Sequence, residues 1–402
     1  MSFVLGVVAF ALALLISIAW HECGHMWAAQ ATGMKVRRYF VGFGPTLWST
    51  RRGETEYGIK AIPLGGFCDI AGMTPHDELA EEDRDRAMYR QATWKRLTVL
   101  FAGPAQNFVF AFVLVIGVAL VWGLPILGDK PVYATEIGCV APTTNAKGRP
   151  VDCTGPAPAA AAGLRSGDRI LAVNGHSVTG SPDLVKKVQA TTGELRLTVQ
   201  RGEDTRDLTV PVTRVQRMTQ NPDETLSPVT VGAIGVSLHQ DTVRDYDALT
   251  VWGGAVSFTG DMFAETWKAL ISLPSKVGKL WTAVTGGERD PDTPVSVYGA
   301  SVLGGEAAER GYWDVFFLLL ISVNFFLGAF NLVPLLPLDG GHMAIALYER
   351  CRDVVRRRFG KAAVGPVDYY RLLPLTYGVV AVMAAFMVLT LTADIINPIK
   401  VF

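Results

Sequence analysis

The sequence predicts a polytopic α-helical membrane protein with four transmembrane helices and a soluble α/β domain outside the membrane. The 402-residue chain is 50% hydrophobic and only 18% charged. Its apolar residues are concentrated in long runs without any Asp, Glu, Lys or Arg, at residues 3–20, 97–128, 315–338 and 372–393. At 1.5 Å per residue, each run can cross a hydrocarbon core of about 30 Å as a helix.

The basic residues predict how these helices are oriented. Residues 1–34 contain no Lys or Arg, whereas the loops 35–96 and 346–371 are rich in both. By the positive-inside rule, these two loops are cytoplasmic. Both termini and the long segment 129–314 are then extracytoplasmic, which agrees with four crossings. Lys+Arg and Asp+Glu balance at 37 each, so the chain lacks the basic surplus that is typical of nucleic-acid-binding proteins.

The predicted domain boundaries follow from these runs and loops. A further segment near residues 248–273 is apolar and aromatic but carries Asp261, Glu265 and Lys268, which predicts an amphipathic helix at the bilayer surface and not a fifth span. In chain order, the predicted segments are 1–34 (first span), 35–96 (cytoplasmic loop), 97–128 (second span), 129–243 (extracytoplasmic domain), 244–314 (amphipathic linker region), 315–345 (third span), 346–371 (basic cytoplasmic loop) and 372–396 (fourth span).

The cysteines divide between the two sides of the predicted membrane. Cys139 and Cys153 are the two cysteines of the outer segment, with thirteen residues between them. Because disulfides persist in extracytoplasmic compartments, we expect these two to be bonded, and two free thiols are the alternative. Cys23, Cys68 and Cys351 lie in the first span or on the cytoplasmic side, where thiols stay reduced.

The first apolar run ends in the motif HECGH. His21 and His25 are four residues apart, so on a helix both imidazoles lie on one face and can bind a single metal ion. Glu22 lies beside them and can act as a general base, as in H-E-x-x-H zinc metalloproteases. Ionisable groups inside a bilayer cost about 2.5–3.5 kcal/mol or more each, which indicates a functional site. Catalytic zinc takes three protein ligands, so a third ligand must come from elsewhere.

The third ligand is predicted at the end of the third apolar run. Asp339 ends this chargeless run, and Pro334 and Pro337 break the helix just before it. Irregular backbone at membrane depth is tolerated only where protein or a water-filled cavity covers it. Asp339 is therefore the expected third ligand. His342 is the alternative if a helix restarts after Gly340.

The outer segment contains a recognisable soluble module. The stretch AGLRSGDRILAVNG, residues 162–175, resembles the signature of PDZ domains of the bacterial protease-associated type. The surrounding pattern predicts a strand at 169–173, an Asn-Gly turn, a helix from about residue 181 and a strand at 194–200. PDZ domains bind extended peptides or C-termini. A structural α/β module without a ligand is the alternative.

Together, these motifs carry a family resemblance. HExxH in the first span and N-x-x-P-x-x-P-x-D-G at residues 331–340 resemble the site-2 protease family of intramembrane zinc metalloproteases. With the single PDZ signature, the chain is similar to the bacterial regulator-of-sigma-E protease group, whose better-known members carry two PDZ domains in tandem. Three further stretches resemble the family's membrane-associated β-hairpin, its second core span and its asparagine-bearing run: YFVGFGPTLW (39–48), AGPAQNFVFA (102–111) and LISVNFFLGAFN (320–331).

The resemblance implies roles for particular residues. One Zn²⁺ per chain is expected on His21, His25 and Asp339, with Glu22 as the catalytic base. The resemblance also assigns candidate substrate-binding residues. Asn331 or Asn324 would steady the oxyanion or the substrate backbone, and two hairpin glycines would allow its close approach, Gly42 and Gly44.

The implied activity is cleavage within the transmembrane segment of single-pass proteins in the bacterial plasma membrane. Family resemblance suggests anti-sigma factors, already trimmed by a first protease, as substrates, and a peptide or C-terminus as ligand of the PDZ domain. Two other functions remain open at this point. The same ionisable groups could serve a membrane metal or ion transporter, and the chain could be a non-catalytic PDZ scaffold. A transport site needs no general base, so Glu22 distinguishes the protease from the transporter.

Overall fold

The computed structural model describes residues 2–141, 157–220 and 226–399, which divide into two compact units. One unit comprises residues 1–122 and 246–402, and the other comprises residues 123–245. The helices are α1 (Ser2–Ala31), α2 (Thr93–Val121), α3 (Pro158–Ala161), α4 (Ser181–Ala190), α5 (Val251–Val284), α6 (Val297–Glu309), α7 (Trp313–Asn331), α8 (Asp339–Arg358) and α9 (Leu373–Ile396).

The strands form a long hairpin in the first unit and a larger sheet in the second. They are β1 (Val36–Arg52), β2 (Thr55–Ile70), β3 (Leu124–Pro125), β4 (Val132–Ile137), β5 (Arg169–Val173), β6 (His176–Ser177), β7 (Glu194–Arg201), β8 (Asp204–Pro211), β9 (Thr213–Gln220), β10 (Leu226–Ala233), β11 (Val236–Gln240) and β12 (Val243–Arg244).

Four helical segments of the described chain are long and apolar enough to cross a membrane. They are α1, α2, α7 and the segment 369–396 that contains α9. This confirms the four apolar helices that the sequence predicts, whereas their placement and orientation in a bilayer stay predictions. Helix α1 is longer than the apolar run at residues 3–20, because residues 21–31 are helical as well. Gly33 adopts a φ of 85° and ends the helix, while the Met34 N–H donates to the Ala29 carbonyl at 2.9 Å.

The third apolar run is not one continuous helix. Helix α7 ends at Asn331, and a new helix, α8, begins at Asp339. The intervening turn folds back against the start of α8, where a Cβ on Gly340 would lie closer than 3.0 Å to the Leu332 carbonyl. Glycine is therefore required there. Helix α8 continues to Arg358, so it covers the end of the predicted third-span segment 315–345 and half of the predicted basic loop 346–371.

Helix α5 and helix α6 occupy the predicted amphipathic linker region. The amphipathic helix predicted near 248–273 runs from Val251 to Val284, with Pro274 inside it. Helix α6 is an additional helix, whose N-cap Ser296 side chain accepts a hydrogen bond from the Gly299 N–H at 3.1 Å. It packs on α1 through small residues, since a Cβ on Gly304 would overlap the Phe10 ring.

The hairpin β1–β2 curls into a compact sheet. Residues 46–52 of β1 pair with residues 55–60 of β2, and residues 36–41 pair with residues 66–70. Two bonds join the hairpin to α1. The Tyr39 hydroxyl donates to the Ala19 carbonyl at 2.7 Å and accepts from the Cys23 thiol at 3.2 Å. These contacts place the last part of β2 beside the HECGH motif.

The second unit is an α/β module built on an antiparallel sheet with the strand order β11-β4-β5-β7-β8. Its core is formed by fully buried side chains of β7 and α4, including Leu184, Leu195 and Leu197. Asn174 and Gly175 have φ values of 50° and 80°, as the predicted Asn-Gly turn requires. The strand at 169–173 and the helix from residue 181 lie where the sequence predicts them. The assignment of this module as a PDZ domain stays a prediction.

A buried ion pair stabilises the signature loop of this module. Arg201 donates to both carboxylate oxygens of Asp168 at 2.7 Å, and Asp168 also accepts from the Arg165 N–H at 2.8 Å. The Arg201 guanidinium holds the pKa of the Asp168 carboxyl below its usual value. Cys139 is disulfide-bonded, whereas Cys153 lies outside the described residues. The predicted Cys139–Cys153 pairing therefore stays a prediction.

Candidate metal centre and active site

Three predicted ligands converge at one point inside the first unit. His21 Nε2 and His25 Nε2 are 3.2 Å apart, and each lies 3.3 Å from Asp339 Oδ2. His21 and His25 are both 7% exposed. Among the residues that the structure describes, this is the group of His, Cys, Asp and Glu side chains whose ligand atoms lie close enough to hold one metal ion. Two imidazole nitrogens and one carboxylate oxygen are a donor set that fits catalytic zinc.

The second ring nitrogen of His25 fixes the tautomer that metal binding needs. His25 Nδ1 lies 2.8 Å from the Val99 carbonyl oxygen, which can only accept a hydrogen bond. Nδ1 must therefore carry the proton and donate it to Val99. Nε2 is then left with a free lone pair that points at the cluster, as in zinc sites whose histidines donate to a backbone carbonyl.

The second ring nitrogen of His21 contacts Asn107 of α2. Asn107 Nδ2 lies 3.1 Å from His21 Nδ1, while Asn107 Oδ1 is buried and has no hydrogen-bond partner among the described residues. The two ends of an amide have nearly the same shape, so they can exchange places by rotation. In the exchanged position, Oδ1 accepts from His21 Nδ1–H, and His21 Nε2 is free for a metal. The orphaned oxygen thus fits a metal-bound His21.

Helix α2 approaches the two histidines with a glycine. A Cβ on Gly103 would lie closer than 3.0 Å to the Nε2 atoms of both His25 and His21. On α1, a Cβ on Gly24 would meet the Ala102 carbonyl at a similarly short distance. These two glycines let the helix backbones cross closely, as small residues do between membrane helices. Any larger residue at position 103 would displace the imidazoles.

Asp339 is positioned by the helix that it begins. As the first residue of α8, its carboxylate lies at the positive end of the helix dipole. One side of α8 is fixed to α2 by a buried ion pair, in which Arg96 Nη1 lies 2.5 Å from Glu349 Oε2. Removing one partner of such a pair costs about 3–5 kcal/mol, because the other charge is left buried. The pair therefore holds α8, and with it Asp339, against the helix that carries Gly103.

Glu22 faces the same cavity from the adjacent position on α1. The cavity has a volume of about 390 Å³ and is lined by the three ligands, by Glu22 and by apolar side chains such as Ile18 and Phe67. A Cβ on Gly66 would lie 3.4 Å from Glu22 Cγ, so the last part of β2 packs beside this side chain. Residues 66–70 pair with residues 36–41, and Phe67, Cys68 and Ile70 of this segment line the cavity. An edge of the hairpin thus lies directly beside the candidate base.

The two candidate asparagines have different environments. Asn331 ends α7 and places its Nδ2 atom 3.5 Å from His21 Nε2, on the wall of the cavity. Asn324 is fully buried in a helix interface, where its Nδ2 donates to Ser17 Oγ at 3.1 Å and to the Leu320 carbonyl at 2.8 Å. Asn324 therefore joins α7 to α1, and a contact of either asparagine with substrate stays a prediction.

The remaining predicted site residues lie away from the cluster. Gly42 and Gly44 adopt φ values of 91° and 81° where β1 bends, and a Cβ on Gly42 would lie within 3.0 Å of the Ile62 carbonyl. Their positive φ suits the bend of the hairpin, and their role in the close approach of substrate stays a prediction. His342, the alternative third ligand, stacks on Tyr369 with 5.6 Å between the ring centroids and is not part of the cluster.

Gly103 and Asn107 are site residues that the sequence motifs do not indicate. Both lie in the stretch AGPAQNFVFA, and Asn107 is a polar residue inside a chargeless apolar run. This position is the sequence feature that indicates a role for Asn107, since a buried amide in an apolar helix needs a hydrogen-bond partner.

Substitution of Gly103 tests the close approach of α2. We expect Gly103→Ala to lower zinc content and activity together, because the added methyl group overlaps the Nε2 atoms of both histidines. Gly117→Ala, on the same helix but with open space around its Cβ position, is the matched control and should keep both. Zinc is measured by metal analysis of the purified membrane protein. Full zinc occupancy in Gly103→Ala would contradict the predicted overlap.

Substitution of the two alternative third ligands tests the assignment of Asp339. Asp339→Ala should lose zinc and activity, because two imidazoles remain as the protein ligands. His342→Ala should retain zinc, since His342 contacts Tyr369 outside the cluster. The opposite result, with zinc retained in Asp339→Ala and lost in His342→Ala, would show that His342 is the ligand.

Comparison with known proteins agrees with the geometry, which fits a catalytic zinc site. The family model described as peptidase family M50 matches residues 9–374. Zinc metalloprotease Rip1 of Mycolicibacterium smegmatis is 53% identical over 411 residues, and the match covers 100% of both chains. Zinc metalloprotease Rip1 of Mycobacterium tuberculosis is 52% identical over 405 residues with the same coverage. Protease RseP of Yersinia pestis is 30% identical over 435 residues, which cover 88% of this chain and 92% of that protein.

A family model that extends over most of the chain and full-length relatives above 50% identity assign the family directly. The chain belongs to peptidase family M50, the site-2 protease family, and is a zinc metalloprotease.

Proposed function

We propose that this protein hydrolyses a peptide bond within or near the transmembrane segment of single-pass membrane proteins. The observation that carries the proposal is the position of the metal cluster. His21, His25 and Asp339 meet inside a unit of apolar helices, with Glu22 in the same cavity. In the predicted topology these apolar helices lie in the membrane. A substrate that reaches the site is therefore expected to be in the membrane itself.

The proposed mechanism uses Glu22 as the general base and acid. When bound, zinc supplies the Lewis acidity that polarises a carbonyl group and makes water more acidic. Glu22 takes a proton from the attacking water and later delivers it to the leaving amine. The Asn331 amide, on the cavity wall, donates a hydrogen bond to the oxyanion that develops on the scissile carbonyl. His25 and His21 keep their ligand nitrogens in place through Val99 and Asn107.

Substrate binding requires that a transmembrane helix be unwound. A helix in a membrane satisfies all its backbone hydrogen bonds internally, so its peptide bonds are shielded from attack. An unwound segment needs new partners, and the edge formed by residues 66–70 can supply them by adding the substrate as a strand. This edge lies beside Glu22, whereas Gly42 and Gly44 lie at the bend of the hairpin.

We propose further that the substrates include membrane-spanning anti-sigma factors already trimmed by a first protease. This follows from the resemblance to the regulator-of-sigma-E protease group. In the predicted topology, the PDZ module and both termini are extracytoplasmic, across the membrane from the catalytic residues. The module would then take no part in the chemistry. Its role would be to restrict access, either by its bulk or by binding the new C-terminus of a trimmed substrate.

Substitution of Glu22 separates a protease from a metal transporter. Glu22→Gln should keep one zinc per chain and abolish cleavage, because the ligands remain while the base is lost. Glu265→Gln, an exposed residue of α5, is the control and should keep full activity. The readout is the accumulation of membrane-embedded stubs, identified by mass spectrometry of cells that produce each variant. Normal turnover of such stubs in the Glu22→Gln strain would contradict the proposed role.

Substitution of the two asparagines separates a catalytic role from a structural one. Asn331→Ala should lower kcat about 100-fold or more and leave zinc and folding unchanged, because one oxyanion donor is removed. Asn324→Ala should instead lower the thermal stability with a smaller effect on kcat, since Asn324 joins α7 to Ser17 of α1. Equal losses of kcat in both variants would contradict the assignment of Asn331.

A further inference from the structure

Helix α8 has one side that contacts the protein and one side that does not. Glu349, on the inner side, pairs with Arg96 and accepts a hydrogen bond from the Val367 N–H at 2.7 Å. Arg352, also on this side, donates to the Gly365 carbonyl. These contacts fix the rotation of the helix about its axis. They therefore determine which residues of α8 face outward.

The outward side of α8 carries large apolar residues. Leu347, Val354, Val355 and Phe359 are exposed by 47%, 49%, 54% and 74%. With the exposed Cys351, Leu347, Val355 and Phe359 follow one another at intervals of four residues, and Val354 is three residues after Cys351, which places them along one face of a helix. A stripe of this kind on a helix surface normally contacts another apolar surface.

Three arginines accompany the apolar stripe. Arg350 and Arg357 lie seven residues apart on one flank of the stripe, and Arg358 lies within it. All three are exposed, and within the described part of the chain none of them has an acidic partner. The outer face of α8 is defined here as these three arginines together with Leu347, Cys351, Val354, Val355 and Phe359.

We propose that the outer face of α8 lies on the membrane surface and binds anionic phospholipid headgroups. A helix with an exposed apolar stripe and unpaired arginines beside and within it has the character of a helix that lies in the bilayer interface. The apolar side chains would enter the acyl boundary, and the arginines would contact phosphate groups. This inference rests on the membrane topology of the proposed function, in which α8 is followed by the fourth span at Leu373.

The charge of the outer face favours lipid over a second copy of the chain. A symmetric dimer through this face would bring the arginines of one copy against those of the other, and like charges at an interface oppose association. An anionic lipid layer neutralises the same arginines and covers the apolar stripe at once.

Lipid binding at this face would act on the metal site through one helix. Asp339 begins α8, and the Arg96–Glu349 pair joins the middle of α8 to the helix that carries Gly103 and Asn107. Holding the outer face of α8 at the membrane surface therefore restricts the movement of Asp339. Under this proposal the arginines are positioning residues and do not touch substrate.

Cys351 provides a label in the middle of the outer face. In a Cys23→Ser, Cys68→Ser background, a fluorophore on Cys351 is reconstituted into nanodiscs of phosphatidylcholine, with or without phosphatidylglycerol. Quenching is measured with brominated lipid and with aqueous iodide. We expect strong quenching by brominated lipid and weak quenching by iodide in the anionic discs. Each arginine removed should lower the ratio of membrane-bound to released helix about five-fold.

Two pairs of variants separate the arginines from a general effect of charge. Arg350→Gln with Arg357→Gln should increase iodide quenching in the anionic discs, and Val354→Glu should do so independently. Arg84→Gln with Arg90→Gln, which removes two exposed arginines outside α8, is the matched control and should change nothing.

Three results would overturn the proposal. Strong iodide quenching in both lipid mixtures would place the outer face in water. Protection from both quenchers, with cross-linking between two Cys351 thiols, would identify a second copy as the occupant. Lipid quenching that is independent of phosphatidylglycerol and of the arginines would exclude recognition of anionic headgroups. The readout needs no substrate, so it succeeds or fails independently of the proposed proteolytic activity.

Discussion

The convergence of three ligand atoms within a buried cavity is the constraint on which the rest of the first unit depends. Two imidazole nitrogens and a carboxylate oxygen lie 3.2–3.3 Å apart, although Asp339 is more than 300 residues away from the histidines in sequence. The close crossing of α1 and α2 at Gly24 and Gly103 brings the histidines to one point. The broken backbone between Asn331 and Asp339 then brings the carboxylate to the same point.

Several other polar groups of the apolar helices pair across a helix interface. Asn324 donates to Ser17 between α7 and α1, and Arg96 pairs with Glu349 between α2 and α8. Arg289 Nη2, in the segment after α5, lies 2.7 Å from Asp394 Oδ1 near the end of α9, and both side chains are 3% exposed. Because an unpaired buried charge is costly, these pairs restrict the packing of the helices. Asn107 Oδ1 is one of several buried polar atoms without a hydrogen-bond partner among the described residues, and its position beside His21 connects it to metal binding.

The sequence predicts a structural feature best where a single physical property of the residues determines that feature. The four apolar runs, the HECGH motif, the proline-broken turn before Asp339 and the Asn-Gly turn were all predictable from hydropathy, helical spacing and backbone preference. The roles of Gly103, Asn107 and Glu349 are not predictable from sequence, because each depends on a neighbour that is distant in sequence.

The length of α8 differs from the sequence prediction. Its basic residues indicate a loop, although arginines in the last turn of a helix are favourable. Asn324 and Asn331 could not be distinguished by sequence, since only their packing separates them.

X-ray absorption spectroscopy at the zinc edge of the purified, membrane-reconstituted protein tests the ligand set most directly. We expect one zinc per chain with nitrogen and oxygen ligands at about 2.0–2.2 Å, two of them imidazoles, and no sulfur. The same spectrum is expected for Glu22→Gln, because Glu22 is not a ligand. A sulfur shell at about 2.3 Å would show that the ligand set is wrong, since it would bring a cysteine such as Cys23 or Cys68 to the metal in place of Asp339.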